Sequence, residues 1–236
     1  MKIDTTQAED IPYREINRGA PARSVASRSK GFVLTHPAHL LALGVGSGLS
    51  PVAPGTMGTL WAWGWFVWLQ DYVSPFQWGW VIAVSIPVGV WACGVTARHL
   101  GLTDPGCIVW DEIAAFWLVL WLVCPAGVGE QLAAFLLFRF FDAAKPGPVK
   151  WADSLYHDID LGKDPSAYLK AGWGIMLDDL VAACCTLMVM ALWRALPGLP
   201  FLSYLPNLVD LVDLIDLPHL IAIIQTLATP ITRMMP

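Results

Sequence analysis

At 236 residues the chain could hold one or two domains, but 56% of it is apolar and only 14% charged, and its mean hydropathy is +0.56. Soluble domains are roughly 25% charged, so the composition points to one integral membrane domain. The net charge of −5 comes without any basic cluster, which excludes nucleic acid as a partner.

Residues 1–30 are polar and lack the apolar core of a secretory signal, so they read as a disordered cytoplasmic leader. Residues 31–196 form the membrane domain, with five apolar segments. The first is a Gly/Pro-interrupted stretch over 38–58 leading into a helix at about 57–70. The second runs from Gln77 to Ala97, with a kink expected at Pro87. The third runs from Cys107 to Val123, the fourth from Glu130 to Phe141 and the fifth from Ile175 to Leu196. A span needs ~20 apolar residues, which only the second, third and fifth approach. The tail, 197–236, repeats Asp210, Asp213 and Asp216 between Leu, Val and Ile, and reads as an amphipathic helix lying in the membrane interface. Of the five cysteines, Cys93, Cys107, Cys124, Cys184 and Cys185, none forms a C-x-x-C pair, and they read as packing residues.

The positive charges set an orientation. If the leader is inside and each segment crosses, twelve of the fourteen Lys and Arg fall inside, and only Arg194 and Arg233 fall outside. That is the asymmetry of the positive-inside rule. It puts the glycine-rich motif, Asp111-Glu112, the Arg139–Lys150 loop and Asp178-Asp179 on the cytoplasmic face.

Three polar constellations carry chemistry. GVGSGLSPVAPGTMGTL, Gly44 to Leu60, cannot be a plain helix. Irregular backbone at membrane depth must be buried in protein or line a cavity, so this is read as a re-entrant loop. Its glycines and the helix start that follows suit a phosphate, and a packing turn is the structural alternative. Asp111-Glu112 and Asp178-Asp179 each precede a long apolar run. Acids favour a helix N-terminus, but two tandem pairs on one face point to a cation, and carboxylate oxygens suit Mg²⁺. In FRFFDAAKPGPVK, Arg139 and Asp142 share a helix face, and Lys145 precedes Pro146 and Pro148. Arg139 and Lys145 supply the donors that a phosphate dianion needs, and a local ion pair is the plain alternative for Arg139. Other phosphatase chemistries fit poorly. Cys93 to Arg98 is C-x₄-R, one residue short of the thiol-phosphatase loop, and no D-x-D-x-T stretch occurs.

Together, GVGSGLSPVAPGTMGTL, IVWDEIAAFW, FRFFDAAKPGPVKWAD and GWGIMLDDLVA resemble, in order and spacing, the phosphatidylglycerophosphatase A family of bacterial inner-membrane lipid phosphatases. The resemblance covers roughly residues 38–190. It implies an all-α polytopic membrane bundle, Mg²⁺ as cofactor, and hydrolysis of phosphatidylglycerophosphate to phosphatidylglycerol and phosphate. The motif positions carried over are Pro54, Gly55, Thr56, Gly58, Asp111, Glu112, Arg139, Asp142, Lys145, Pro146, Asp178 and Asp179.

On this reading Asp111, Glu112, Asp178 and Asp179 hold the metal, and Asp142 is a further ligand or a base. Arg139 and Lys145 hold the phosphate, with Gly48, Pro54, Gly55, Thr56 and Gly58 as a third wall. The attacking group is a metal-activated water or an aspartate. The partners are the lipid substrate and the surrounding bilayer lipids. Residues 158–170 depart from the family as an insertion, which weakens any role for His157. The competing readings are a transporter with a carboxylate-lined cation site and a phosphatase of another lipid phosphomonoester.

Overall fold

The structure, a computed structural model, describes residues 30–156 and 167–195. The leader, His157, most of the inserted stretch and the acidic tail lie outside the described residues. Every regular element among the described residues is helical, which agrees with the all-α expectation.

A short pair, α1 (Lys30–Thr35) and α2 (Pro37–Ala42), opens the fold. A 3₁₀ stretch, Gly44–Leu49, follows, and then α3 (Pro54–Leu69). The glycine-rich motif is therefore irregular up to Ala53, as expected, while its second part, Pro54 to Leu60, is already helical. Positive φ at Gly44, Val45, Gly46 and Ala53 turns the chain. Pro54 then starts α3, because its fixed φ suits a first helical position and its missing N–H costs nothing there.

The long helix α4 (Pro75–Leu100) has 26 residues, ~39 Å at 1.5 Å per residue. Ser74 and Gln77 form a reciprocal capping box at its start, and Gly101 closes it in the left-handed region (φ 66°). Pro87 lies inside α4 without ending it. Next come α5 (Trp110–Val123), α6 (Val128–Ala144) and the short α7 (Pro148–Ser154). The chain ends in α8 (Ala167–Ala195), with 29 residues.

Helix α5 is the hub: it touches α3, α4, α6 and α8. Ile113, Ala114, Ala115, Phe116, Val119 and Leu120 are wholly buried along it. Indole N–H groups tie the hub to its neighbours, from Trp110 to the Ser85 carbonyl of α4 (3.1 Å) and from Trp117 to the Ala62 carbonyl of α3 (3.0 Å). Against α4, α8 packs so closely that a Cβ on Gly94 would strike the Tyr168 carbonyl, and one on Gly172 the Val90 carbonyl. Only glycine allows this approach of two backbones.

Among the described residues two helices, α4 and α8, are long and apolar enough to cross a membrane. Both carry exposed apolar side chains: Phe76, Trp80 and Val84 on α4, Met188 and Leu192 on α8. The third apolar segment of the sequence yields only the 14-residue α5, ~21 Å long and short of a span. The fifth yields a helix that begins well before Ile175. As a result Asp178 and Asp179 sit inside α8, eleven and twelve residues from its start, and not at its opening turn. Ala167 to Lys170, the end of the inserted stretch, form the first turn of that helix.

Candidate active site

The polar side chains gather at one end of the bundle. Asp111 and Glu112 stand in the first turn of α5, where the dipole favours negative charge. The strand of chain before them is pinned by the Val109 N–H, which donates to the Ala42 carbonyl at 2.9 Å. From α8 comes Asp179, and one carboxylate oxygen from each of Asp111, Glu112 and Asp179 lies within 4.8 Å of the others. Asp111 and Asp179 are buried, and the Glu112 side chain is 12% exposed. Asp111 Oδ1 and Glu112 Oε2 are buried with no hydrogen-bond partner among the described residues. Three near-buried carboxylates at this spacing repel one another, and orphaned acceptors are costly. A hard divalent cation relieves both.

Two cations flank the acids. Arg139 of α6 meets Asp142 at 2.5 Å and Glu112 at 3.9 Å. Its Nη1 also donates to Thr59 Oγ1 of α3 at 3.4 Å. Lys145, in the left-handed region at the end of α6 (φ 42°), donates from Nζ to Asp153 of α7 at 2.6 Å and to Asp178 of α8 at 2.7 Å. Burial alone would lower the Lys145 pKa, but its two carboxylate partners outweigh this and hold it well above the ordinary lysine value. The ammonium stays charged at neutral pH. Thr103, Asp104, Asp111, Asp153, Tyr156 and Asp178 line much of a neighbouring cavity of about 40 Å³, which has room for a few waters.

The glycine motif divides by task. Gly48 is pressed against the Cys107 carbonyl and Gly58 against Val109, so both serve packing of the turn before α5. Gly55 faces the acids: a Cβ there would strike Glu112 Oε1 and crowd Arg139 Nη1. The first backbone bond of α3 runs from the Met57 N–H to the Ala53 carbonyl (3.1 Å), so the N–H groups of Gly55 and Thr56 precede the helix ladder. Pro54, just before Gly55, is buried.

The structure thus unites Asp111, Glu112 and Asp179 with Arg139, Asp142 and Gly55. Asp178 points elsewhere. Neighbouring residues inside a helix diverge by ~100°, so Asp179 joins the acid group while Asp178 turns to Lys145. Two contributors escaped the sequence reading. Asp153 ends the motif FRFFDAAKPGPVKWAD, eight residues after Lys145, and is brought back by the turn that Pro146 and Pro148 frame. Thr59 lies one turn after Gly55, on the face of α3 that meets Arg139.

The far end of α5 is built differently. There Arg194 of α8 donates to the Val123 carbonyl (2.7 Å) and pairs with Glu130 of α6 (3.0 Å). Asp111 and Val123 are twelve residues apart on one helix, ~18 Å, so the acid group occupies one end of the bundle alone.

The family model for phosphatidylglycerophosphatase A matches residues 40–194. The chain belongs to the phosphatidylglycerophosphatase A family. Family members similar to it include phosphatidylglycerophosphatase A of Escherichia coli (strain K12), 39% identical over 150 residues, covering 63% of this chain and 78% of the relative. That of Haemophilus influenzae (strain Rd) is 36% identical over 161 residues, covering 68% and 91%. A Bacteroides thetaiotaomicron protein, named provisionally as a phosphatidylinositol-3-phosphatase, is 33% identical over 164 residues, covering 66% and 92%. No solved structure matches the chain. All the site residues above fall within the family match.

Proposed function

We propose that the chain is a membrane phosphatidylglycerophosphatase, which hydrolyses phosphatidylglycerophosphate to phosphatidylglycerol and inorganic phosphate in glycerophospholipid biosynthesis. The carrying observation is the buried group Asp111, Glu112 and Asp179 beside Arg139, in a chain matched to that family over residues 40–194.

The cofactor that fits is Mg²⁺. The donor set is all carboxylate, and two of its oxygens, Asp111 Oδ1 and Glu112 Oε2, are buried without partners among the described residues. Asp111, Glu112 and Asp179 would hold the ion, and a bound Mg²⁺ would neutralise charge on the phosphoryl group. The chain's own residues do the rest. Arg139, braced by Thr59 and Asp142, offers its remaining N–H groups to phosphate oxygens. Lys145 offers a positive point charge. The Gly55 and Thr56 N–H groups at the start of α3 add neutral donors. Phosphoryl transfer needs positioning and charge neutralisation more than covalent chemistry, and this set supplies both. Asp142, next to Arg139, takes the role of base toward the attacking water.

The bundle is polytopic in this reading. The glycine motif re-enters the bilayer from the cytoplasmic face, and the acid end of the bundle lies at that face, where the phosphomonoester of a lipid reaches water. The acids stand near one end of the apolar part of α8: Asp179 to Ala195 measures ~24 Å. That placement favours an interfacial phosphatase over a transporter with a midplane site. The Bacteroides relative supports a second reading, a phosphatase of another lipid phosphomonoester.

Phosphate release by the purified chain, with phosphatidylglycerophosphate and a phosphoinositide monophosphate side by side, separates the two. Preference for the phosphoinositide would overturn the first.

A further inference from the structure

Lys145 is held in an unusual way. Its backbone is left-handed (φ 42°), a conformation unfavourable for a non-glycine residue, and it persists only when the surroundings enforce it. Those surroundings are Pro146 on one side, Gly147 (also at positive φ, 41°), and two carboxylates on its side chain. Asp153 comes from α7 and Asp178 from α8, so the ammonium joins three elements.

Stability alone is a poor reason for this arrangement. The Lys145–Asp153 pair, with both side chains about one third exposed, contributes little, and a second acid beside the more buried Asp178 repels it. What the arrangement supplies is direction. An ammonium has three N–H donors on a flexible stem. Among the described residues two are taken, at 2.6 and 2.7 Å, and one is left on a side chain that is still 30% exposed. Asp178 also adjoins Asp179, which belongs to the acid group, so the backbone of α8 fixes the ammonium's anchor relative to that group.

We propose that Asp153 and Asp178 are positioning residues, which clamp the Lys145 ammonium so that its third N–H meets an oxygen of the substrate's phosphomonoester. This deepens the phosphatase reading and rests on it.

The test compares Asp153→Asn, Asp153→Glu, Lys145→Ala and the double variant Asp153→Asn/Lys145→Ala, each as the detergent-purified full chain. Two quantities are read: kcat and KM on phosphatidylglycerophosphate, and the affinity for inorganic phosphate by titration calorimetry, which needs no turnover. One lost charge-assisted hydrogen bond corresponds to roughly tenfold. Asp153→Asn should therefore lose about tenfold in kcat/KM, part of it as a raised KM, and bind phosphate several-fold more weakly. Asp153→Glu should regain a substantial part of both, and the double variant should be no worse than Lys145→Ala, because the two residues act as one unit.

Thermal unfolding of each variant separates positioning from folding: an unchanged midpoint with reduced kcat/KM supports positioning. Asp153→Asn within twofold of the unaltered chain, or losses that multiply in the double variant, would overturn the proposal. Phosphate binding that depends on Asp153 without lipid hydrolysis would sink the phosphatase reading and keep the clamp. Hydrolysis indifferent to Asp153 would sink the clamp alone.

Discussion

Gly55 has no side chain because Glu112 and Arg139 occupy the space one would need. Even a methyl group there must push the carboxylate or the guanidinium aside, both of which belong to the acid end of the bundle. Gly55→Ala should therefore cut kcat by 10²-fold or more, in line with the effect of small displacements at a reacting centre, while circular dichroism stays unchanged. Full activity in Gly55→Ala would remove α3 from the site. The acids behave differently. Asp111 and Asp179 are buried in mutual repulsion, so Asp179→Asn should raise the melting temperature of the metal-free protein. On the proposed Mg²⁺ site, millimolar Mg²⁺ should raise the melting temperature of the unaltered chain through mass-action stabilisation by a ligand that binds only the folded state, and Asp179→Asn should abolish that shift. Differential scanning fluorimetry with Mg²⁺ and with EDTA reads both effects. An Mg²⁺ shift retained in Asp179→Asn would contradict the three-carboxylate set.

At the scale of elements, the close crossing of α4 and α8 brings Asp179 to the acid group on α5. Gly172→Ala sets a methyl against the Val90 carbonyl, and overpacking of this kind costs ~1–3 kcal/mol. A drop of several degrees in melting temperature with partial loss of activity is expected, and an unchanged melting temperature would argue against the crossing.

The α1–α2 pair is fixed to the end of α4 by side chains outside the site. His39 Nε2 bonds His99 Nδ1 at 2.8 Å, while His39 Nδ1 meets the Phe32 carbonyl and Thr35 Oγ1, both at 3.0 Å. Burial, opposed by the Phe32 carbonyl bond and aided by the nearby His99 and His36, lowers the His39 pKa to about 4. A depressed histidine pKa means that the unfolded chain binds the proton first. His39 thus contributes stability that is complete above about pH 6.5 and drains away as pH falls towards 4. Protection factors in α1 and α2, corrected for the intrinsic pH dependence of amide exchange, should fall between pH 7 and 5, less so in His39→Asn. An equal fall in both would exclude His39 as the cause.

These elements also mark how far the sequence could be read. The periodicity of apolar runs located α4, α5, α6 and α8, and the density of Gly and Pro located the irregular stretch before α3. Charge placed Asp111, Glu112, Asp179, Arg139 and Asp142 together. The start of α8 was not legible, because Lys170 and the glycines Gly172 and Gly174 interrupt the apolar run before Ile175. That hid the fact that Asp178 and Asp179 lie inside a helix and diverge. Asp153 stayed hidden for a related reason: its partner is reached only through a turn with two positive-φ residues.

For the whole molecule, the acid end and the Arg194–Glu130 end lie ~18 Å apart along α5, and the positive charges favour the acid end facing the cytoplasm. Single-cysteine variants in a chain freed of its own five cysteines test this. A cysteine at exposed Trp151 on α7 should label only when reagent reaches the cytoplasmic side, and one at exposed Asp71 after α3 only from the other. Labelling of both from one side would contradict the topology.

In the proposed function, the Asp111, Glu112 and Asp179 group makes this chain a divalent-cation-dependent lipid phosphatase. The most direct measurement is phosphate release from phosphatidylglycerophosphate in vesicles by the purified full chain, with Mg²⁺ and with EDTA, alongside Asp111→Asn/Asp179→Asn. Release with Mg²⁺, its loss in EDTA and a fall of at least about 10³-fold in the double variant is the expected result. Undiminished Mg²⁺-dependent release by the double variant would contradict it.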